Sequence, residues 1–299
     1  MIRPTTQPQL SVPRQPEGLT PAQRTPEFVG RLLAAAEAMK SELENLREQA
    51  DARRYHLEQV DRELRLAAKL QGDFLPAAMP LVDGMTFHSF HRGVGHVSGD
   101  MFGVDRLDEH HVGIHLVDAV GHGMPAALLA MFLGHAIQPK VIQEHGYELL
   151  PPGDVLKALN ATLCNKGLSH GFFATALYAK ANAATGQVDF ARAGHPLPIH
   201  MAGDDVRYLG GDGALLGVIA DEEFTPESIQ LQPGDKLVFI TDGAECLFAD
   251  DRYGDQDAWL AAMTQRRDLS GTELIAEVAR QCEATRPDDD VTVVVVERC

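Results

Sequence analysis

The sequence predicts an α+β protein in which a long helix precedes a β-rich domain. Three observations predict it. Residues 28–74 carry a heptad pattern with no proline, and with glycine only at Gly30 and Gly72. From Met85 onward, short apolar runs bounded by Gly, Pro and Asp follow one another, in places with no helical stretch between them, which implies antiparallel pairing. Among them, Val112–Val117 leads through Asp118 and Gly121-His122-Gly123 to Pro125 and the apolar stretch Ala126–Leu133. That order reads as strand, carboxylate, glycine turn, helix.

The 299 residues suffice for one large domain plus an extension, and a hydrophobic fraction of 44% supports a sizeable core. A formal charge of −17 excludes nucleic acid as the main partner, because a phosphate backbone needs a basic face. It also disfavours anionic membranes. Cys164, Cys246, Cys282 and Cys299 are scattered, with no Cys-x-x-Cys pair, so reduced thiols and a cytoplasmic setting are expected. No apolar run has membrane-spanning length, and the N-terminus lacks the apolar core of a signal peptide.

In chain order, residues 1–27 hold Pro4, Pro8, Pro13, Pro16, Pro21 and Pro26 among Gln, Thr and Arg, a composition that predicts a disordered arm. A plain tail is the expected role, with a docking peptide as its alternative. Residues 28–75 predict a coiled-coil helix. Ala36, Leu43, Ala50, Leu57, Leu64 and Gln71 fall at heptad position a; Leu32, Met39, Leu46, Arg53, Val60 and Ala67 fall at d. Self-association as a parallel homodimer would bury that seam; the alternative is a helix folded back on the domain that follows. Residues 76–299 predict strands at Met85–His91, Val112–Asp118, Phe172–Ala179, Val188–Ala193, Leu197–Met201, Lys236–Thr241 and Val291–Glu297. Helices are expected to start near Met124, Asp154, Gln256 and Gly271, with hairpin-like breaks at 180–186 and 202–205.

Four carboxylates sit on strand boundaries: Asp100, Asp118, Asp242 and Asp289. A single such Asp is ordinarily a turn residue. Four delivered to one end of a sheet would repel one another unless cations lie between them. An oxygen donor set with no cysteine cluster suits Mg²⁺ or Mn²⁺.

These pieces, in their order, resemble the PPM (type-2C) protein phosphatases of the bacterial SpoIIE/RsbU-like branch. The matching segments are Val97-Ser98-Gly99-Asp100, the run from Asp118 to Leu128, Phe173–Tyr178, Ala193-Gly194-His195-Pro196, Leu215–Val218, Pro233-Gly234-Asp235, Thr241–Glu245 and Asp289-Asp290-Val291-Thr292. They span roughly residues 70–299 and form a specific set only together. The resemblance implies two stacked antiparallel β-sheets flanked by helices, an α/β/β/α sandwich with metals at one end. It implies hydrolysis of phosphoserine or phosphothreonine by a metal-activated water, with two ions, Mn²⁺ or Mg²⁺. Carried over by position, Asp118 would bridge both ions, the Ala119 carbonyl would ligate one, and Asp100, Asp242 and Asp289 would complete the shell. Asp288 and Asp290 are left as turn or supporting groups.

The same resemblance implies a phosphoprotein substrate, such as a phosphorylated STAS-domain anti-sigma-factor antagonist, and an upstream regulatory partner. It makes Leu66–Pro76 a switch between helix and domain. Two positions depart from the pattern. Gly103 stands where many relatives have an Asp, and the phosphate-cradling Arg of eukaryotic relatives has no counterpart, Arg92 being a poor substitute. His122 beside the Asp118 turn is read as a packing histidine, with general acid as its alternative. His195 is read as a hydrogen-bonded core residue, His110-His111 as solvated, and Glu245 as either a support of its turn or a surface carboxylate. The competing reading from another class is a catalytically inactive scaffold of the same fold that binds a regulatory partner. A third is a metal phosphohydrolase of small molecules.

Overall fold

A computed structural model of the chain describes residues 26–167, 171–248 and 256–299. Nearly all of the expected proline-rich arm therefore lies outside the described residues. The chain divides into two compact units, residues 1–61 and 62–299. Helix α1 (Pro26–Phe74) begins the described chain. In the first unit, Leu32, Met39, Leu43, Leu46 and Leu57, all from the expected seam, are exposed. Among the described residues, no helix is long and apolar enough to cross a membrane.

The second unit contains β1 (Met85–Arg92), β2 (Asp100–Arg106), β3 (His111–Ala119), α2 (Met124–Ala136), β4 (Lys140–Gln143), β5 (Gly146–Leu149), α3 (Pro152–Asn165), β6 (Ala174–Asn182), β7 (Gln187–Ala193), β8 (Ile199–Ala202), β9 (Asp205–Tyr208), β10 (Glu227–Gln230), β11 (Lys236–Ile240), α4 (Asp242–Glu245), α5 (Gln256–Gln265), α6 (Gly271–Thr285) and β12 (Val291–Arg298). One sheet has the order β1-β12-β11-β8-β9 and the other β10-β7-β6-β3-β2; β4 and β5 form a separate hairpin. Neighbouring strands in both sheets run antiparallel.

Strand alternation sorts the side chains into three layers. Between the sheets lie Met85, Phe87, Phe102, Val104, Ile114, Leu116, Leu177, Leu237, Phe239, Val294 and Val296. The other face of the second sheet carries Met101, Val117 and Tyr178 under α2 and α3. The other face of the first sheet carries Val238, Ile240, Val293 and Val295 under α5 and α6, with Trp259 buried there. Two antiparallel sheets flanked by helices are thus observed, as expected.

The seven expected strands are present, the run from Leu197 shortened to Ile199–Ala202, and five more appear. Strand β2 starts on Asp100 itself and carries Asp105 and Arg106, so its apolar run is only four residues long. Strands β4, β5, β9 and β10 are four residues each, and β4, β5 and β10 are mostly exposed; β9 alternates as Asp205-Val206-Arg207-Tyr208, but over too short a run to stand out.

Candidate active site

The inward-facing parity of each strand continues past the apolar layer. On β2, the positions of Val104 and Phe102 lead to Asp100; on β3, Ile114 and Leu116 lead to Asp118; on β6, Ala179 and Leu177 lead to Thr175. The ladder sets Asp100 directly opposite Asp118, and Asp118 opposite Thr175, so the three side chains share one face. In the facing sheet, Val294 leads to Thr292, Phe239 to Thr241 just past β11, and Phe87 to His91. His91 and Thr292 are direct partners, and Thr241 donates its backbone N–H to the Thr292 carbonyl. Two polar rows therefore face each other at one end of the sandwich.

Asp100 is buried, and its Oδ2 accepts from Thr241 Oγ1 at 2.7 Å and from Thr292 Oγ1 at 2.6 Å. Burial, then the charge of Asp118, raises its pKa well above the ordinary carboxylate value. Asp118 is half-buried. Burial, then the charges of Asp242, Asp289 and Asp290, pushes it up to about 7. Asp242 opens α4 and is part-exposed at the rim; the atoms around its carboxylate, then Asp289, raise its pKa too. Asp289 is exposed and accepts its neighbour's backbone N–H through Oδ1. Asp118 is thus close enough to be repelled by Asp242 and Asp289, and Asp100 by Asp118. Gly243 lets the two contributing loops meet, because a Cβ there would lie 2.1 Å from the Asp290 carbonyl oxygen.

The turn after Asp118 needs glycine at Gly121 (φ 93°) and Gly123 (φ 75°). Ala119 is buried, and its carbonyl oxygen lies against Gly99, where a Cβ would come within 3.2 Å of it. The loop 93–99 is held from both sides. Asp290 accepts the N–H groups of Val94 (2.7 Å) and Gly99 (2.6 Å). Gln71, near the end of α1, is buried and pairs with both backbone polar groups of Ser98: Nε2 donates to its carbonyl (2.7 Å) and Oε1 accepts its N–H (2.8 Å). Asp290 thus has the supporting role expected of it. Gln71 was expected in the coiled-coil seam, and only the fold reveals its partner.

A cleft of about 360 Å³ opens beside the aspartates, lined by Asp118, Thr175, Arg192, His195, Asp242 and Glu245 among others. Sequence reading missed Arg192. Its guanidinium donates to the carbonyls of Gly211 and His195, which places a cation on the wall of an otherwise acidic cleft. Arg92 faces the other way, donating to the Cys282 carbonyl at 3.1 Å and to its sulfur, under α6. His195 is buried, bonds Thr175 Oγ1 through Nδ1 at 2.7 Å, and is held neutral with a pKa near 3 by burial and then Arg192. His122 is exposed. His111, expected to be solvated, is tied to Asp108 and Asn182. Gly103 has a packing cause: a Cβ there would lie 2.2 Å from Cε1 of buried His115, its ladder partner.

Among the described residues, no group of three or more carboxylate, imidazole or thiol side chains stands close enough together to hold a metal ion as it is. The donors fit a hard divalent cation nonetheless. They are all oxygen, and buried Asp100 and half-buried Asp118 are carboxylates whose ionisation a cation would favour.

The sequence model of the family described as Stage II sporulation protein E (SpoIIE) matches residues 108–299. The chain belongs to the SpoIIE family. Two curated relatives come from Bacillus subtilis (strain 168). Phosphoserine phosphatase RsbP is 27% identical over 246 residues, covering 79% of this chain and 58% of RsbP. Phosphoserine phosphatase RsbU is 27% identical over 192 residues, covering 63% of this chain and 55% of RsbU. The chain thus spans a little over half the length of each. Among solved structures, the SiaA-PP2C domain of Pseudomonas aeruginosa shares the fold with a TM-score of 0.68 at 19% identity, covering 81% of this chain and 98% of that domain.

Proposed function

We propose that this SpoIIE-family chain is a metal-dependent serine/threonine phosphoprotein phosphatase of bacterial signalling. The observation that carries the reading is the convergence of Asp100, Asp118, Asp242 and Asp289, from both sheets, on one end of the sandwich beside a cleft. The match to curated phosphoserine phosphatases supports the same chemistry.

A pair of Mn²⁺ or Mg²⁺ ions bound there would supply an activated water at neutral pH and neutralise charge on the phosphoryl group. Asp100, Asp118, Asp242 and Asp289, with the Ala119 carbonyl beside Asp118, would hold the ions through oxygen donors, as suits a hard divalent cation. The two threonine hydroxyls on Asp100 favour its charged form and so oppose its burial. Arg192 sits where it attracts the phosphoryl dianion into the cleft.

The substrate class is a phosphorylated STAS-domain anti-sigma-factor antagonist, and residues 76–299 form the catalytic domain. Residues 28–75 dimerise through the exposed seam of α1 and answer to an upstream partner. Gln71 supports this arrangement, because movement of the helix end would pull on Ser98, two residues before Asp100.

The deciding experiment is turnover of a phosphoserine protein by the full chain with Mn²⁺, with chelator, and with Asp118→Asn. Metal-dependent release of phosphate, lost in the variant, is expected. No metal-dependent turnover of any phosphoprotein would leave the inactive scaffold as the better reading, and a preference for free nucleotides would favour a small-molecule hydrolase.

A further inference from the structure

The protons around Asp100 can be counted. Thr241 and Thr292 each own one hydroxyl proton, and both hydroxyls donate to Asp100 Oδ2. Thr241 Oγ1 also accepts the Thr292 backbone N–H at 2.9 Å, so its proton is left for Asp100. Thr292 Oγ1 has a second neighbour, His91 Nδ1, at 2.9 Å. With its own proton given to Asp100, that oxygen can only accept from the ring. His91 is mostly buried, its ring 5.9 Å from that of Phe102, and burial, opposed by Asp290, lowers its pKa. The ring is therefore neutral at pH 7 with a single N–H.

We propose that His91 is a positioning residue for the metal site. In its Nδ1–H form it donates to Thr292 Oγ1, which fixes both threonine hydroxyls on one oxygen of Asp100 and leaves Oδ1 as the oxygen offered to a cation. The Nδ1–H form is the less common tautomer of a free neutral imidazole, so the surroundings must select it. His91 does this without touching the cation or the substrate. The ladder makes the relay possible: His91 and Thr292 are direct cross-strand partners, and Thr241 flanks Thr292 on the other side. The inference rests on the phosphatase reading for the identity of the cation, but the tautomer requires only that Asp100 be ionised, whatever the cation.

Two measurements test the proposal. In the ¹⁵N-histidine-labelled full chain, NMR of the Mg²⁺-loaded protein should show His91 with a protonated Nδ1 and a bare Nε2. In calorimetry, His91→Leu should weaken Mn²⁺ binding about tenfold, in line with the loss of a group that supports a metal ligand. His91→Asn, whose amide N–H can stand in for Nδ1–H, should stay within about twofold of wild type, and KM for the phosphoprotein should be unchanged in both. A bare Nδ1, or wild-type Mn²⁺ affinity in a folded His91→Leu, overturns the proposal. Should His91→Leu fail to fold, the wild-type spectrum decides. A wild-type chain that binds no divalent ion overturns the phosphatase reading instead, and its spectrum at raised pH, with Asp100 ionised, still reports whether the ring donates.

Discussion

The layer between the sheets has two ends built from the same strands and the same side-chain parity. In its middle, Leu116, Leu177, Phe239 and Val294 are fully buried and apolar. One pleat further along, the same positions hold Asp118, Thr175, Thr241 and Thr292. The backbone barely differs; the chemistry inverts. Strands clamped by a close-packed core deliver their last inward side chains with little freedom, so the polar end inherits its geometry from the apolar one. The apolar part stabilises the fold by itself, whereas in the polar part Asp118 raises the pKa of Asp100, and Asp242 and Asp289 raise that of Asp118.

The contrast breaks most directly at Asp118. Asp118→Asn should lower phosphoprotein turnover at least about 10³-fold, near 4 kcal/mol of barrier, in steady-state assays at saturating Mn²⁺. The same change should stabilise the metal-free protein at pH 8. The folded pKa of Asp118, about 7, lies above the unfolded carboxylate value. Its ionisation therefore costs stability progressively as pH rises through that interval, and the cost is fully present above it. Removing the charge should return roughly 1–3 kcal/mol, after allowance for solvent at a half-buried group, read as a higher Tm in chelator. The gap should close below about pH 4. An unchanged or lower Tm for the variant would mean the aspartates do not strain the fold.

Leu116→Ala, one pleat away, should do the reverse. It should cost about 2–5 kcal/mol of stability by denaturant titration, while the fraction still folded keeps its Mn²⁺ affinity within about threefold. A large loss of metal binding there would show that the two regions are not separable. Asp290→Ala lies between these cases. It strips the carboxylate from the N–H groups of Val94 and Gly99 and should cost about 1.5–3 kcal/mol, with weaker Mn²⁺ binding because Asp100 follows that loop. The smallest effect is the pH dependence of binding. Protons compete with the cation for a group titrating near 7, so apparent Mn²⁺ affinity should fall about tenfold from pH 8 to pH 6 by calorimetry.

The convergence of Asp100, Asp118, Asp242 and Asp289 was legible in the sequence because each stands at the limit of an apolar run, and a run's limit is a sheet's limit. The sandwich was legible through the ordered segments rather than through periodicity alone. Strand β2 was not, since its inward residues Asp100, Phe102 and Val104 show their parity only once paired with β3. Arg192, Gln71 and His91 were illegible for a common reason. Their partners are Gly211, Ser98 and Thr292, so their roles are tertiary facts with no local signature. Gly103 looked like a missing carboxylate and is instead the space a buried imidazole occupies.

Strand β12 lies between β1 and β11, and among the described residues β1 pairs with no other strand in its sheet. His91 meets Thr292 across a separation of 201 residues. During synthesis, β1 must therefore wait, its edge unsatisfied, until nearly the whole domain has left the ribosome. The hydroxyl of Thr292 and the carboxylate of Asp290 arrive with that same late strand. A chain without β12 would leave β1 cut off from the rest of its sheet and would lack the groups that order the loop before Asp100.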